Sequence, residues 1–195
     1  MERAIIIVTL AMSVAGLGYC NKTHAADNTV MIDQIGTGNQ TSIIQDGSGN
    51  TAAVKLGAMG DVDYTTISIT QQGNNKLAKV EIPSGVNNGV SIQQDGTGNH
   101  IANIQNLNGS ANNITIGQTG AGNHTFNVVA DPGTTNSGNT INANQSGNGN
   151  KQFDLTLSGT SGATVTVQQT NPTQSNSGSM NIQCTTCGAY SYIRN

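Results

Sequence analysis

The chain has 195 residues, of which only 9% are charged and 3% are aromatic, and its formal net charge is −3. An ordinary globular domain carries about 25% charged residues and many more large apolar side chains, so a conventional two-layer core is disfavoured. Intrinsic disorder is disfavoured as well, because disordered segments are rich in charge and Pro, whereas this chain has 3 Pro and abundant Thr, Val and Ile. Abundant Asn, Gln and Gly in a β-prone chain of low charge are typical of stacked strands.

The first 25 residues have the features of a secretory signal peptide. Arg3 gives a positive start, and the apolar run over residues 4–18 is shorter than a membrane-spanning helix requires. We predict that residues 1–25 are removed by cleavage before Ala26. Cys20 ends a sequence with the outline of a lipoprotein signal, but Tyr19 stands where that signal takes a small residue, so cleavage without lipidation is favoured. No later segment reaches membrane-spanning length, and the mature chain is expected to be exported.

A turn sequence, Gln-x-Gly-x-Gly-Asn, recurs along the rest of the chain. Five copies and one degraded copy begin at Gln34, Gln45, Gln94, Gln118, Gln145 and, for the degraded one, Gln71. From the second copy on, the repeat length is about two dozen residues, with weaker turns between the strong ones. Gly accepts positive φ and Asn tolerates it better than most residues, so both suit tight corners. Each repeat therefore predicts two short strands joined by alternating strong and weak turns.

Apolar and polar residues alternate within the predicted strands, as in strands with one buried face. Before a strong turn, Ile67, Ile69 and Gln71 share a face. After the turn that follows Gln94, we assign the inner face to Asn99, Ile101, Asn103 and Gln105. Coils stacked about 4.7–4.8 Å apart would let each inner amide bond to its equivalents above and below. The sequence thus predicts an all-β fold, a β-solenoid of about five to six two-stranded coils over residues 26–183, followed by a tail over residues 184–195.

The repeat resembles that of the curlins, the subunits of bacterial curli fibres, whose pattern is Ser-x5-Gln-x-Gly-x-Gly-Asn-x-Ala-x3-Gln. Gln94-x-Gly96-x-Gly98-Asn99 followed by Gln105 reproduces its centre and far end, and the resemblance extends over roughly residues 28–183. It implies a secreted functional-amyloid subunit that polymerises with itself into cell-surface fibres of a Gram-negative bacterium, for biofilm formation and adhesion. It also implies curli-type secretion and nucleation proteins as partners.

By the same resemblance, inward amides beside the turns would support stacking and self-assembly. Carried onto this chain, they are Gln34, Asn39, Gln45, Asn50, Gln71, Gln94, Asn99, Gln105, Gln118, Asn123, Gln145 and Asn150. Two features depart from the family pattern. Most repeats lack its leading Ser, and Gln34 follows the predicted cleavage site too closely for the polar targeting segment of major curlins. A major subunit, a nucleator and a divergent relative therefore all remain open.

Cys184 and Cys187 form a Cys-x-x-Cys motif near the C-terminus. A structural zinc site needs four ligands, and the only other candidates are the distant His100 and His124. A redox-active motif of this kind opens a helix, and no helix is predicted. In the oxidising setting of an exported protein, a disulfide that caps the last coil is favoured, with intermolecular cross-linking as the alternative.

Two further residue pairs occupy equivalent positions in successive or related repeats. His100 and His124 each follow a strong turn, so we expect them to stack on one outer face as solvated residues, with weak metal binding as the less favoured alternative. Asp46 and Asp95 lie at equivalent positions of the strong turns and are interpreted as solubilising, with pairing to a cation as the less favoured alternative.

No set of residues in the sequence supports catalysis. Residues 26–195 contain a single Glu, Glu81, and no phosphate-binding loop, so we predict neither an enzyme nor a cofactor or metal site. The small net charge gives no reason to expect nucleic acid as a partner. A structural fibre subunit is the favoured function. The alternative is a monomeric β-solenoid binding module, an adhesin or a surface whose Thr rows bind ice or carbohydrate.

Overall fold

The computed structural model describes residues 4–8, 28–57 and 62–195, and every regular element within these ranges is a β-strand. In chain order the strands are β1 (Ala4–Val8), β2 (Thr29–Gln34), β3 (Gln40–Asp46), β4 (Thr51–Leu56), β5 (Val62–Asp63), β6 (Thr66–Gln72), β7 (Leu77–Ile82), β8 (Gly85–Val86), β9 (Gly89–Asp95), β10 (His100–Gln105), β11 (Asn113–Thr119), β12 (His124–Ala130), β13 (Thr140–Ser146), β14 (Lys151–Ser158), β15 (Thr164–Gln169), β16 (Asn176–Gln183) and β17 (Ala189–Arg194).

The strands form two large sheets and one small one. Sheet A has the order β1-β2-β4-β7-β10-β12-β14-β16, sheet B has the order β3-β6-β9-β11-β13-β15-β17, and β5 pairs with β8. All neighbours are parallel except β1, which runs antiparallel to β2. The chain passes from a strand of sheet A to a strand of sheet B and then into the next coil, making about six turns. The predicted β-solenoid is confirmed.

The core lies between the two sheets and consists of columns of similar side chains. In sheet B, Ile69, Ile92 and Ile116 occupy one register position and are all buried. Such β-branched residues are stiff and pack well on a pleated surface, which is why a chain with few aromatic residues can still fill this narrow interior. Phe126 and Phe153 widen the core near the C-terminal end, where their rings stack with centroids 5.6 Å apart.

The corners bring the backbones of successive coils into close contact. Gly96 has a φ of 109°, and a Cβ on it would lie 2.3 Å from the carbonyl oxygen of Gly120 in the next coil. Any other residue would therefore meet both an unfavourable dihedral and a steric clash. The glycines of the repeated turn are what allow the corners to stack.

The strands that follow the longer strong turns have the opposite orientation to the one predicted. In β10 the buried residues are His100, Ala102 and Ile104, whereas Ile101 and Gln105 are partly exposed on the outer face. The physical reason is the length of the turn. Between Gln94 and Ile101 it holds one residue more than between Gln45 and Thr51, the register partner of that position in an earlier coil. A shift of one residue moves every following side chain to the other face.

The two ends of the chain also differ from the predicted boundaries. The predicted tail, residues 184–195, contains β17, which pairs with β15, so sheet B continues to Arg194. Of the predicted signal peptide only Ala4–Val8 is described, and it pairs with β2. The predicted cleavage site at Ala26 and the alternative lipidation site Cys20 lie outside the described residues. Within the described ranges there is no helix long and apolar enough to cross a membrane.

Stacked polar columns as a candidate assembly site

A ladder of glutamine side chains runs through the interior along the end of sheet B. We call this the glutamine column, and its members are Gln45, Gln71, Gln94, Gln118, Gln145 and Gln169. Each Nε2 donates to the Oε1 of the next member, over distances of 2.8, 2.9, 2.8, 2.8 and 2.7 Å. All members beyond Gln45 are fully buried.

The second hydrogen of each amide is satisfied as well. Gln94 Nε2 donates to the carbonyl oxygen of Leu77 at 3.0 Å, and Gln118 Nε2 donates to that of Ile101 at 2.9 Å. Each of these carbonyls lies in the sheet A strand of the glutamine's own coil, so the amide bonds both across its own coil and to the next coil. Because all donors point the same way along the axis, the column has an acceptor end at Gln45 and a donor end at Gln169.

An asparagine column occupies the opposite corner of each coil, and its members are Asn39, Thr65, Asn88, Asn112 and Asn139. The Oδ1 of Asn112 accepts from the backbone N–H of Asn139 at 3.1 Å and from its Nδ2 at 2.9 Å. Asn112 in turn donates from Nδ2 to Asn88 Oδ1 at 3.0 Å. These three asparagines are at most 2% exposed. Sequence reasoning placed Asn39 among the assembly residues but missed Asn88 and Asn112, whose turns do not repeat one phrase. The signal was the Asn directly before the first strand residue, which is present in the weak turns that end at Asn88, Asn112 and Asn139.

A third column of buried side chains lies at the corner formed by the strong turns, and its members are basic. We call Lys76, His100, His124 and Lys151 the basic column, and all four are at most 1% exposed. Lys76 Nζ donates to the carbonyl oxygens of Asn74, Gly96 and Gly98, at 3.2, 2.7 and 2.5 Å. Lys151 Nζ likewise donates to the carbonyl oxygens of Asn171 and Gln174. Burial lowers the pKa of both lysines, and nearby Asp95 partly offsets this for Lys76.

The expectation that His100 and His124 are solvated on an outer face is wrong. They do stack, with ring centroids 4.8 Å apart and planes within 5°, but inside the solenoid. The Nε2 of His100 bonds to the carbonyl oxygen of Asp95 at 2.8 Å, and that of His124 bonds to the carbonyl oxygen of Thr119 at 3.0 Å. Both Nδ1 atoms are buried without a partner. Burial lowers the pKa of His100 to about 4 and also lowers that of His124.

Three of the predicted inward amides, Asn99, Asn123 and Asn150, lie on the outside. They form a surface ladder in which Asn99 N–H donates to Asn123 Oδ1 and Asn123 N–H donates to Asn150 Oδ1, each at 2.9 Å. Asn50, in the shorter turn, does point inward, and its Nδ2 donates to the carbonyl oxygen of Gly73 at 2.8 Å. The extra residue of the longer turns gives the inward position to the following residue, which is a member of the basic column.

Two other predicted ladder residues lie apart from the glutamine column. Gln34 is in β2 of sheet A, where its register partner is Leu56. Gln105 is on the outer face of β10. Of the residues predicted for the ladder, the structure therefore brings together Gln45, Gln71, Gln94, Gln118 and Gln145 in one column, and it adds Gln169.

The side chains of the last coil cover the C-terminal end of the hydrophobic core. Cys184 and Cys187 are joined by a disulfide in the turn between β16 and β17. The Tyr192 ring packs against Phe153, with centroids 4.9 Å apart, and lies over Gly178, where a Cβ would come within 2.5 Å of it. Tyr192 Oη donates to the carbonyl oxygen of Ser177 at 2.9 Å. The glycine thus makes room for an aromatic side chain from the facing strand.

The chemistry of these columns suits stacking. Among the described residues, no group of three or more His, Cys, Asp or Glu side chains is arranged to hold a metal ion. The polar groups are instead directed along the solenoid axis, from each coil to its neighbours.

Residues 25–55 match the curlin associated repeat. This segment covers β2, β3 and most of β4, and it includes the turns at Gly36 and Gly47. The predicted resemblance to a curlin repeat is confirmed for this segment, and the coils that follow it stack on it in the same parallel register. No curated protein and no solved structure matches the sequence.

Proposed function

We propose that the chain is an exported structural subunit of a curli-like extracellular fibre, which assembles with itself by stacking one solenoid on the next. The observation that carries the proposal is that both ends of sheet B are open. In the described residues, β3 pairs only with β6, and β17 pairs only with β15. An unpaired parallel edge is a template for a further strand.

The polar columns give such stacking its specificity. A net hydrogen bond contributes about 1 kcal/mol, but a buried donor or acceptor left unpaired costs about 1–3 kcal/mol. A coil added out of register at the β3 edge would leave the Oε1 of Gln45, the acceptor end of the glutamine column, without a donor. The columns therefore favour one register strongly, and we assign self-assembly to the glutamine and asparagine columns.

The proposal includes a place of action and partners. As a curli-like subunit, the chain would act on the cell surface of a Gram-negative bacterium, in biofilm and adhesion, and would meet curli-type secretion and nucleation proteins. The match to the curlin associated repeat supports this assignment.

Fibre diffraction tests the proposal directly. The chain from Ala26 to Asn195, which retains every strand pair from β2 to β17, is diluted from denaturant and left undisturbed. We expect fibrils with reflections near 4.7 and 10 Å, the spacings between strands and between sheets. A chain that stays monomeric for days at tens of micromolar, with a β-sheet spectrum in the far ultraviolet, would contradict it and favour a monomeric binding solenoid.

A further inference from the structure

Two of the most exposed apolar side chains of the molecule stand at opposite ends of one register column. Ile44 in β3 is 58% exposed, and Ile193 in β17 is 53% exposed. Following the pairing of sheet B from one to the other gives a single outer-face column, in the order Ile44, Thr70, Gln93, Gly117, Asn144, Gln168 and Ile193. The five internal positions hold polar residues or glycine, and isoleucine appears only where the column ends.

Exposed isoleucines are unusual on sheet edges. Edge strands of proteins that remain monomeric carry charges, Pro or bulges that prevent pairing with another chain. Here β3 and β17 contain no Pro and one charged residue each, Asp46 and Arg194, and both have an isoleucine exposed on the outer face. If a second copy extended sheet B, strand spacing would put Ile193 of one copy about 4.8 Å from Ile44 of the next, and each would cover the other.

The neighbouring column provides an independent match between the same two strands. The glutamine column begins at Gln45, whose Oε1 receives no donor among the described residues, and its register continues past Gln169 to Arg194. Arginine has five donors and no acceptor, so Arg194 cannot accept a hydrogen bond from Gln169 Nε2, and the ladder within the chain ends at Gln169. It can, however, donate to the Oε1 of Gln45 in another copy. A column that starts with a free acceptor thus ends with a pure donor.

We propose that the joint between subunits is head-to-tail and in one register: β17 of one copy lies parallel to β3 of the next, with Ile193 opposite Ile44 and Arg194 opposite Gln45. This inference rests on the proposed fibre function and specifies its partner surface, a second copy of this chain. Such a contact joins two different surfaces and does not close on itself, so it generates filaments. In the full chain β1 pairs with β2, which leaves β3 open.

A charge exchange tests whether position 44 meets position 193. In the chain from Ala26, the variant Ile44→Asp/Ile193→Asp would place like charges at every joint, and we expect seeded elongation to slow by at least about tenfold. The variant Ile44→Lys/Ile193→Asp would place opposite charges there, and we expect elongation within about threefold of the unmodified chain. Added salt should partly restore the double-Asp variant, because it screens the repulsion. All these side chains are on the surface, so far-UV circular dichroism should show an unchanged solenoid.

Matched controls use internal positions of the same column. Thr70→Asp/Gln168→Asp and Thr70→Lys/Gln168→Asp make the same charge changes within the chain, and the two should elongate alike. In a head-to-head joint, position 44 would meet position 44, so the Lys/Asp exchange would be as harmful as the double Asp. If the double-Asp and the Lys/Asp variants at positions 44 and 193 elongate at equal rates, whether fast or slow, the proposed joint is overturned and the fibre function is not affected. Absence of fibres from the unmodified chain overturns the fibre function and the joint together.

Discussion

The two corners of each coil bury polar side chains in different ways. The asparagine column consists mainly of neutral amides that both donate and accept, so each member bonds to the next coil. The basic column consists of side chains that mostly donate. Its lysines reach turn carbonyls of the next coil, and its histidines bond within their own turn. One backbone geometry therefore accommodates either a continuous amide ladder or separate basic side chains that bond to turn carbonyls, and only the basic column depends on protonation.

The stability experiments below use the Ile44→Asp/Ile193→Asp background without seeds, since its slower elongation keeps the sample monomeric for the duration of the measurement. The free energy of unfolding then refers to a single solenoid and can be measured by urea denaturation.

Removing one amide from the asparagine column should have the largest effect. In Asn112→Ala, the backbone N–H of Asn139 and the carbonyl of Asn136 lose their partners inside the protein. We expect the free energy of unfolding to fall by about 3 kcal/mol, because unpaired buried groups cost about 1–3 kcal/mol each. The control is Asn144→Ala, at an exposed position on β13, which should change it by less than about 0.5 kcal/mol. If both variants lower the free energy of unfolding by similar amounts, the buried column contributes no more to stability than an exposed amide does.

Acid should lower the free energy of unfolding through the basic column, because its histidines titrate, whereas the amides of the asparagine column do not. Folding lowers the pKa of His100 from 6.5 to about 4 and lowers that of His124, so as the pH falls below about 6.5 the unfolded chain takes up protons first. Stability is therefore greatest above about pH 6.5 and declines toward pH 4, by up to about 1.4 kcal/mol per pH unit for each histidine that stays unprotonated in the folded chain. Lys76 and Lys151 flank the pair and disfavour further positive charge, while Asp95 opposes this at His100.

The control for this pH dependence is His100→Gln/His124→Gln, which keeps a donor for the turn carbonyls but does not titrate. We expect a flatter profile of unfolding free energy between pH 7.5 and 4.5. If its slope equals that of the parent, the histidines are not the cause. Residues 26–195 contain no other histidine, so the comparison isolates this pair.

Replacing a buried lysine should cost less than replacing an amide. Lys76→Met keeps the aliphatic length but leaves the carbonyls of Gly96 and Gly98 without their donor. Removal of a buried charge offsets part of this loss, so we expect a decrease of about 1–2 kcal/mol in the free energy of unfolding. Lys79→Met serves as the control, since the Lys79 side chain is partly exposed and forms a surface ion pair with Glu81. If Lys79→Met lowers the free energy of unfolding as much as Lys76→Met, the buried amine of Lys76 does not stabilise the turn carbonyls as proposed.

The outer ladder should matter least. Asn123→Ala removes the acceptor of the Asn99 N–H, but that group is exposed and can bond to water. We expect a change of about 0.5 kcal/mol or less, against about 3 kcal/mol for the buried Asn112. Comparable values for the two would mean that burial does not set the strength of these ladders.

The sequence predicted the solenoid and most of the glutamine column because each Gln lies near the end of a sheet B strand and continues its alternation of buried residues up to the turn. It failed after the turn, since a single extra residue there reverses the face and the repeated phrase does not reveal it. For that reason His100, and not Asn99 as predicted, faces the interior. The asparagine column was largely missed because its weak turns vary in length and composition, and only stacking in three dimensions aligns Asn88 with Asn112.

The last coil was taken for a tail because Tyr190, Tyr192 and Arg194 do not resemble the residues of the other coils. In the register of sheet B they replace aliphatic residues and a glutamine. Their role depends on Gly178, a residue in the facing strand whose missing side chain gives Tyr192 its space. No local pattern connects these two positions.

Because Tyr192 packs against Phe153, it also serves as an intrinsic spectroscopic probe of the last coil. The chain contains no Trp, and from Ala26 on its tyrosines are Tyr64, which is well exposed, and the pair Tyr190 and Tyr192 in β17. Most of the ordered tyrosine signal in near-UV dichroism and intrinsic fluorescence therefore comes from the coil at the donor end. Polymerisation through that end can be followed in solution, without any attached dye, as a change in tyrosine emission.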